Sequence, residues 1–195
     1  RTFGIFNYET GWNKTVLNKL TGAKAGEYPK ISQVINGEFF KPDYAWRLTS
    51  EKISREYIYG KKAFSGISML KLNVPVDSEG QLYLQTYKDK NGYNGVPGRT
   101  LIHLIKGQTY KISFIAACEG GEGRIKISLK NVEDMKSIYD SAEADGEWID
   151  VGKNPQVYTR LYTHNAETVM DVRLEFDIGS KQQILYLDKV DLIRD

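Results

Sequence analysis

The chain predicts an all-β fold, an antiparallel sandwich or barrel in one domain. Three observations carry this. Several short segments alternate apolar and polar residues with period two. Glycine-containing turns separate them. No long amphipathic helical segment occurs, and helical spacing is confined to short stretches at Val16–Leu20 and Val132–Tyr139. A length of 195 residues is ample for one well-buried domain and short for two.

Taken in order, residues 1–34 are less regular but contain Tyr8, Trp12 and Tyr28, a composition unlike a disordered linker. They are expected to pack as an extension on a sandwich spanning 35–195. Three stretches then space tyrosines two or four apart: Tyr57 and Tyr59, Tyr83 and Tyr87, and Tyr158 and Tyr162. In a strand that spacing sends the rings to one face. Ile58, Leu84, Thr86, Thr159 and Leu161 face the other way, and are assigned to the core side. Tyr110, Ile112, Phe114 and Ala116 share one parity in a further strand. The turns at Lys106–Gly107 and Glu119–Gly123 bracket it. Ile125, Ile127 and Leu129 form the next alternating strand, and Val172, Leu174, Phe176 and Ile178 a later one. Arg173, Glu175 and Asp177 between the latter read as a solvated strand face. Trp46 and Trp148 read as core.

Composition excludes some partners. The net charge is +2, and Lys and Arg are scattered among the acids without a basic stripe, so no nucleic-acid partner is expected. No apolar run reaches membrane-spanning length, so no membrane insertion is expected. The single cysteine, Cys118, cannot form an internal disulfide and reads as a small buried side chain. The chain begins at Arg1, consistent with a mature protein or a piece of a larger one.

Four segments in order resemble carbohydrate-binding modules of families 4, 9, 16 and 22, which share a galactose-binding-like jelly roll. Asn36–Phe40 resembles their opening strand, with Trp46 following. Ser65–Leu72 resembles a Ser-Gly-x-x-x-Leu-x-Leu strand. Leu104–Phe114 resembles Leu-x-x-Gly-x-Thr-Tyr-x-x-Ser-Phe. Leu185–Leu192 resembles the closing Tyr-Ile-Asp-Asp-Val-x-Leu strand. The opening motif departs from the pattern at Phe40, where the family often has Glu, and residues 1–34 are not part of the usual module. The resemblance implies a jelly-roll β-sandwich and non-catalytic binding of a polysaccharide or oligosaccharide. It also implies a secreted bacterial or cell-surface protein in which the module is linked to catalytic or surface domains. A structural Ca²⁺ is implied at Asp188, which shares strand parity with Tyr186, Val190 and Leu192 and is expected to point inward. Glu38 would supply a second oxygen.

A face of tyrosines mixed with polar side chains suits sugars, whose C–H faces stack on rings while their hydroxyls need hydrogen-bonding neighbours. Tyr83, Gln85 and Tyr87, with Tyr158, Arg160 and Tyr162, are the candidate ligand residues, and Gln85 and Arg160 the hydrogen-bonding ones. The turn-rich loop Asn91–Arg99 offers Tyr93 and Arg99 at a competing loop-end site. Two other classes remain open. Gln85, His103, Arg160 and Tyr162 supply the residue types of a polysaccharide lyase, although the short signatures of those families are absent. A glycoside hydrolase needs a carboxylate pair whose geometry the sequence does not give. Exposed tyrosines also suit a structural or adhesive module of a surface or phage-tail assembly.

Overall fold

A computed structural model describes residues 32–76, 78, 80–84, 102–141, 148–179 and 181–195. The strands are β1 (Trp46–Leu48), β2 (Ser54–Tyr59), β3 (Ser68–Val74), β4 (Gln81–Leu84), β5 (Ile102–Leu104), β6 (Thr109–Glu119), β7 (Gly123–Asn131), β8 (Ser137–Asp140), β9 (Ile149–Val151), β10 (Gln156–Thr163), β11 (Val169–Asp177) and β12 (Gln183–Arg194). A seven-stranded sheet runs β1-β4-β11-β7-β8, with β5 also on β11 and β9 also on β7. A five-stranded sheet runs β10-β6-β12-β3-β2. Every pairing is antiparallel. The two sheets form the β-sandwich jelly roll that the sequence predicts.

The inner faces come directly from the alternation. Tyr110, Ile112, Phe114 and Ala116 of β6 and Leu185 and Leu187 of β12 are buried on one sheet. Ile125, Ile127 and Leu129 of β7 and Val172, Leu174 and Phe176 of β11 are buried on the other. Phe114 and Phe176 meet edge to face, their centroids 5.2 Å apart. Trp46 closes one end of this core against Phe39 and Phe176. Its indole N–H donates to the Asn36 carbonyl at 3.0 Å, which satisfies its buried polar atom.

β12 carries a bulge between Asp188 and Asp191, with Lys189 at φ +48. The extra residue shifts the alternation. Leu185 and Leu187 face the core before it, Val190 and Leu192 after it. Asp188 pairs with Ile115 and Tyr186 with Ala117, both on the outer side of β6. The expectation that Asp188 points inward with Val190 and Leu192 is therefore corrected: it faces outward, and the bulge breaks the shared parity.

The opening motif docks on the second half of β12, beyond the reach of β3. Gln33 N–H donates to Leu192 O at 2.7 Å, and Val190 N–H to Gly37 O at 2.9 Å. Asn36–Phe40 is not itself a strand. Asn36 and Phe39 sit at positive φ, and the Asn36 amide donates to the Lys41 and Tyr44 carbonyls, folding the segment into a turn. The helical spacing at Val132–Tyr139 is likewise overridden: Asn131 bonds Met135 and Lys136, and the chain returns as β8. Val16–Leu20 and most of the 1–34 extension lie outside the described residues. No helix among the described residues is long and apolar enough to cross a membrane.

A Cβ added at Gly37 would lie 2.1 Å from the Val190 carbonyl oxygen, a backbone atom with little room to yield. Gly37→Ala is expected to destabilise the protein by about 1–3 kcal/mol. Gly152→Ala, where a Cβ meets nothing within 4 Å, is expected to stay within about 0.5 kcal/mol of the parent. Urea unfolding midpoints at constant m-value would measure both.

Candidate functional site

The tyrosine stripes do not share one sheet. Tyr83 lies on β4 of the seven-stranded sheet, whereas Tyr158, Arg160 and Tyr162 lie on β10 at one edge of the five-stranded sheet. Tyr57 and Tyr59 lie on β2 at its other edge. Gln85, Tyr87, Tyr93 and Arg99 fall outside the described residues.

On β10 the expected facing is also reversed. Directly paired residues share a face, and Tyr158 pairs with Phe114, Arg160 with Ile112 and Tyr162 with Tyr110, all core residues of β6. The Tyr158 ring stacks on Phe114 at 5.4 Å. Tyr162 reaches across to Tyr139 of the opposite sheet at 5.1 Å. Its hydroxyl donates to His164 Nδ1 at 2.9 Å, because His164 Nε2 carries the proton it gives to the Glu167 carbonyl at 2.7 Å. These two rings close the margin of the sandwich. Large side chains with a polar tip suit that position, where one end is dry and the other wet. The residues assigned to the core, Thr159 and Leu161, are the exposed ones, Leu161 at 62%, and Val157 beside them is 69% accessible. Tyr158, Arg160 and Tyr162 therefore do not form a solvent-facing ligand stripe with Tyr83.

The outer face of the seven-stranded sheet is a different surface. Cross-strand registers place Arg47, Tyr83, Glu175, Ser128 and Asp140 in one row across β1, β4, β11, β7 and β8. Gln81, Asp177 and Lys126 form the neighbouring row, and Arg173 and Lys130 pair on the other side. Glu175 is only 3% accessible although it points away from the core. A carboxylate this buried needs cations or donors. Lys130 Nζ lies 2.5 Å from it and Arg173 Nη1 3.5 Å. Lys126 bridges Asp140 at 3.3 Å and Asp177 at 4.0 Å.

An aromatic ring lies toward each end of this polar lattice. The Arg173 guanidinium is 4.5 Å from the centroid of Tyr83. Arg124 and Lys126 sit 5.0 and 5.5 Å from the Trp148 ring, which follows the pairing of β9 on β7. Such cation–π contacts orient a ring. Three strand spacings, about 14 Å, separate β4 from β9. Trp148 is half-buried, not core as its sequence setting suggested. Glu175 and Arg173, read as ordinary solvated alternation, are the centre of the lattice. Opposite charges at alternate positions of two strands were the available signal. Its meaning depends on a register that the sequence does not state.

The lyase residue set is split between the sheets. His103 lies on β5, and Arg160 and Tyr162 on β10. His103 is tied through its backbone: its N–H donates to Gln33 Oε1 at 3.0 Å. Burial first, and the Arg194 charge second, hold its imidazole below the usual histidine range.

The donors around Asp188 bear on the implied calcium site. Asp188 Oδ2 accepts the Ser65 N–H at 2.7 Å and Oδ1 the Ser65 hydroxyl at 2.9 Å. The Glu38 carbonyl accepts the Ser68 hydroxyl at 2.5 Å. Among the described residues no three His, Cys, Asp or Glu side chains are grouped to hold a metal. The site presents N–H and O–H groups to Asp188, a set that does not fit a hard cation requiring six to eight oxygens.

No family model and no curated protein matches the chain. Solved structures do. A structure titled "CBM4 structure and function" is 18% identical with a TM-score of 0.52, over 83% of this chain and 99% of that one. A family 61 carbohydrate-binding module in complex with β-1,4-galactotriose is 11% identical with a TM-score of 0.51, over 85% and 99%. The enzymatically active domain of tailspike protein 4 of bacteriophage CBA120 is 13% identical with a TM-score of 0.58. There the match covers 85% of this chain but only 22% of the tailspike domain. The fold is thus that of carbohydrate-binding modules, as the resemblance implied.

The lowered His103 pKa has a stability consequence of definite sign. The folded state binds this proton less readily than the unfolded chain, whose histidine titrates near about 6.5. Stability is therefore retained above that pH and falls as pH drops from it through the folded-state pKa. His103→Gln is expected to flatten this part of the urea-midpoint profile. An unchanged slope would assign the acid sensitivity to other groups.

Proposed function

We propose that the protein is a non-catalytic carbohydrate-binding module that takes a polysaccharide on the outer face of its seven-stranded sheet. The supporting observation is the lattice just described, with Tyr83 and Trp148 held by cations toward its two ends. Rings supply flat apolar surface for sugar C–H faces. Between them Gln81, Ser128, Lys126, Asp177 and Asp140 alternate donors and acceptors, which suits hydroxyl-rich chains. The ion pairs pre-order these long side chains, so less entropy is lost on binding. The separation of the rings matches several sugar units rather than one. Solved carbohydrate-binding modules with this fold support the reading, as does a family 61 module bound to a galactotriose. The reading places the protein outside the cell or at its surface, joined to other domains.

A second reading, an adhesive or structural module of a surface or tail assembly, draws on another surface. The exposed Val157 and Leu161 lie on the outer side of edge strand β10. An assembly face there would give concentration-dependent oligomers by light scattering, indifferent to soluble glycans.

Affinity electrophoresis against plant, algal and bacterial polysaccharides, with product analysis, tests the first reading. Retention by one polymer without released oligosaccharide is the expected result. Release of unsaturated or reducing ends would make the protein an enzyme. Tyr83→Ala and Trp148→Ala are each expected to weaken binding by about 1 kcal/mol or more at unchanged Tm. Tyr158→Ala is expected to lower Tm and leave affinity intact. Loss of binding in Tyr158→Ala alone would move the site to β10.

A further inference from the structure

We infer that Ser65 stands in place of a cation at Asp188, so that the last strand is locked to the rest of the sandwich by hydrogen bonds and the fold does not draw on Ca²⁺. Asp188 lies at the β12 bulge and is 0% accessible. It faces the outer side of the five-stranded sheet, where the segment following the 3₁₀ turn Gly60–Lys62 covers it. In that segment Phe64 packs on Tyr186, the outward neighbour of Asp188. Ser65, the next residue, delivers two donors from one position. Its backbone N–H meets Oδ2 and its hydroxyl meets Oδ1. A buried carboxylate is costly unless paired or hydrogen-bonded, and hydrogen bonds to the charged form stabilise it. The clamp supplies this across 123 positions of sequence, joining the β2–β3 connection to the final strand.

The neighbouring oxygens are committed in the same way. The carbonyl of Asn36 accepts the Trp46 indole N–H at 3.0 Å, that of Gly37 the Val190 N–H at 2.9 Å, and that of Glu38 the Ser68 hydroxyl. A calcium shell built here would have to compete with a buried indole N–H, a ladder-like backbone N–H and a serine hydroxyl that already bond these carbonyls. Both oxygens of Asp188 likewise accept a hydrogen bond from Ser65. Each of these oxygens thus has a donor that the fold places without a cation. The junction between the β2–β3 connection and the closing strand thus persists with neutral serine donors where a cation would otherwise stand.

Thermal unfolding of the full chain tests this. The parent protein is expected to melt at the same temperature, within about 1 °C, in excess EDTA and in excess CaCl₂. Ser65→Ala keeps the N–H and removes the hydroxyl, and is expected to lower Tm by roughly 5 °C or more, with no rescue by CaCl₂. A parent Tm that falls in EDTA and returns with calcium, with this dependence lost in Asp188→Asn, would overturn the inference. So would a Ser65→Ala protein that melts like the parent. A calcium response that survives in Asp188→Asn comes from another place on the protein: it would overturn the independence of the fold from Ca²⁺ and leave the clamp to the Ser65→Ala result. The chelator comparison on the parent needs no variant, so a Ser65→Ala chain that fails to fold still leaves a decisive result.

Discussion

The register of β11 governs both sides of the seven-stranded sheet at once. β11 lies between β4 and β7, and beyond a bulge at Met170–Val172 its side chains alternate from Val172 to Asp177. Val172, Leu174 and Phe176 enter the core, where Phe176 meets both Phe114 and Trp46. Arg173, Glu175 and Asp177 are thereby forced outward into pairing with Lys130, Ser128 and Lys126 of β7. A slip of one residue would exchange these two sets and expose the largest buried ring of the strand. The hydrophobic core therefore fixes the geometry of the polar lattice, and the candidate ligand face inherits its precision from the packing beneath it.

The burial of Glu175 follows from the same arrangement. Removing a carboxylate from water is tolerable here because Lys130 and Arg173 reach it from adjacent strand positions. Arg173 in turn lies against the Tyr83 ring, so core register, ion pair and aromatic platform form one connected chain of contacts. The other sheet solves a different problem. Its outer face is partly covered by the Phe64–Ser65 segment over Tyr186 and Asp188, and its edge strand β10 turns tyrosines inward to close the sandwich margin. One sheet thus presents an ordered polar surface, while the other ties the β2–β3 connection to the final strand.

Period-two alternation made the strands around 110–116, 125–129 and 172–178 legible, because burial on one face leaves that mark directly in sequence. The closing strand was legible too, but not the side on which Asp188 emerges. A bulge inserts one residue and reverses parity, and nothing in Leu185–Leu192 announces it. The tyrosine stripe of β10 failed for a related reason. Alternation separates two faces without saying which is inner, and at an edge strand such as β10 the apolar side, Val157 and Leu161, is the exposed one. Sheet membership was equally hidden: Tyr83 and Tyr158 are alike in sequence context but belong to opposite layers. The lattice residues Arg173, Glu175, Lys126 and Lys130 were visible as alternating charges. Their pairing was not, because it joins strands more than forty positions apart through a register set by the core.

The outer face of the seven-stranded sheet is the proposed carbohydrate surface. An NMR titration of the labelled full chain with oligosaccharide fragments of the retained polymer addresses this most directly. The Trp148 indole N–H and backbone amides in β4, β7 and β11 are expected to shift and to saturate together with one affinity. Shifts confined to β10 or β2, with the Trp148 indole unmoved, would contradict it.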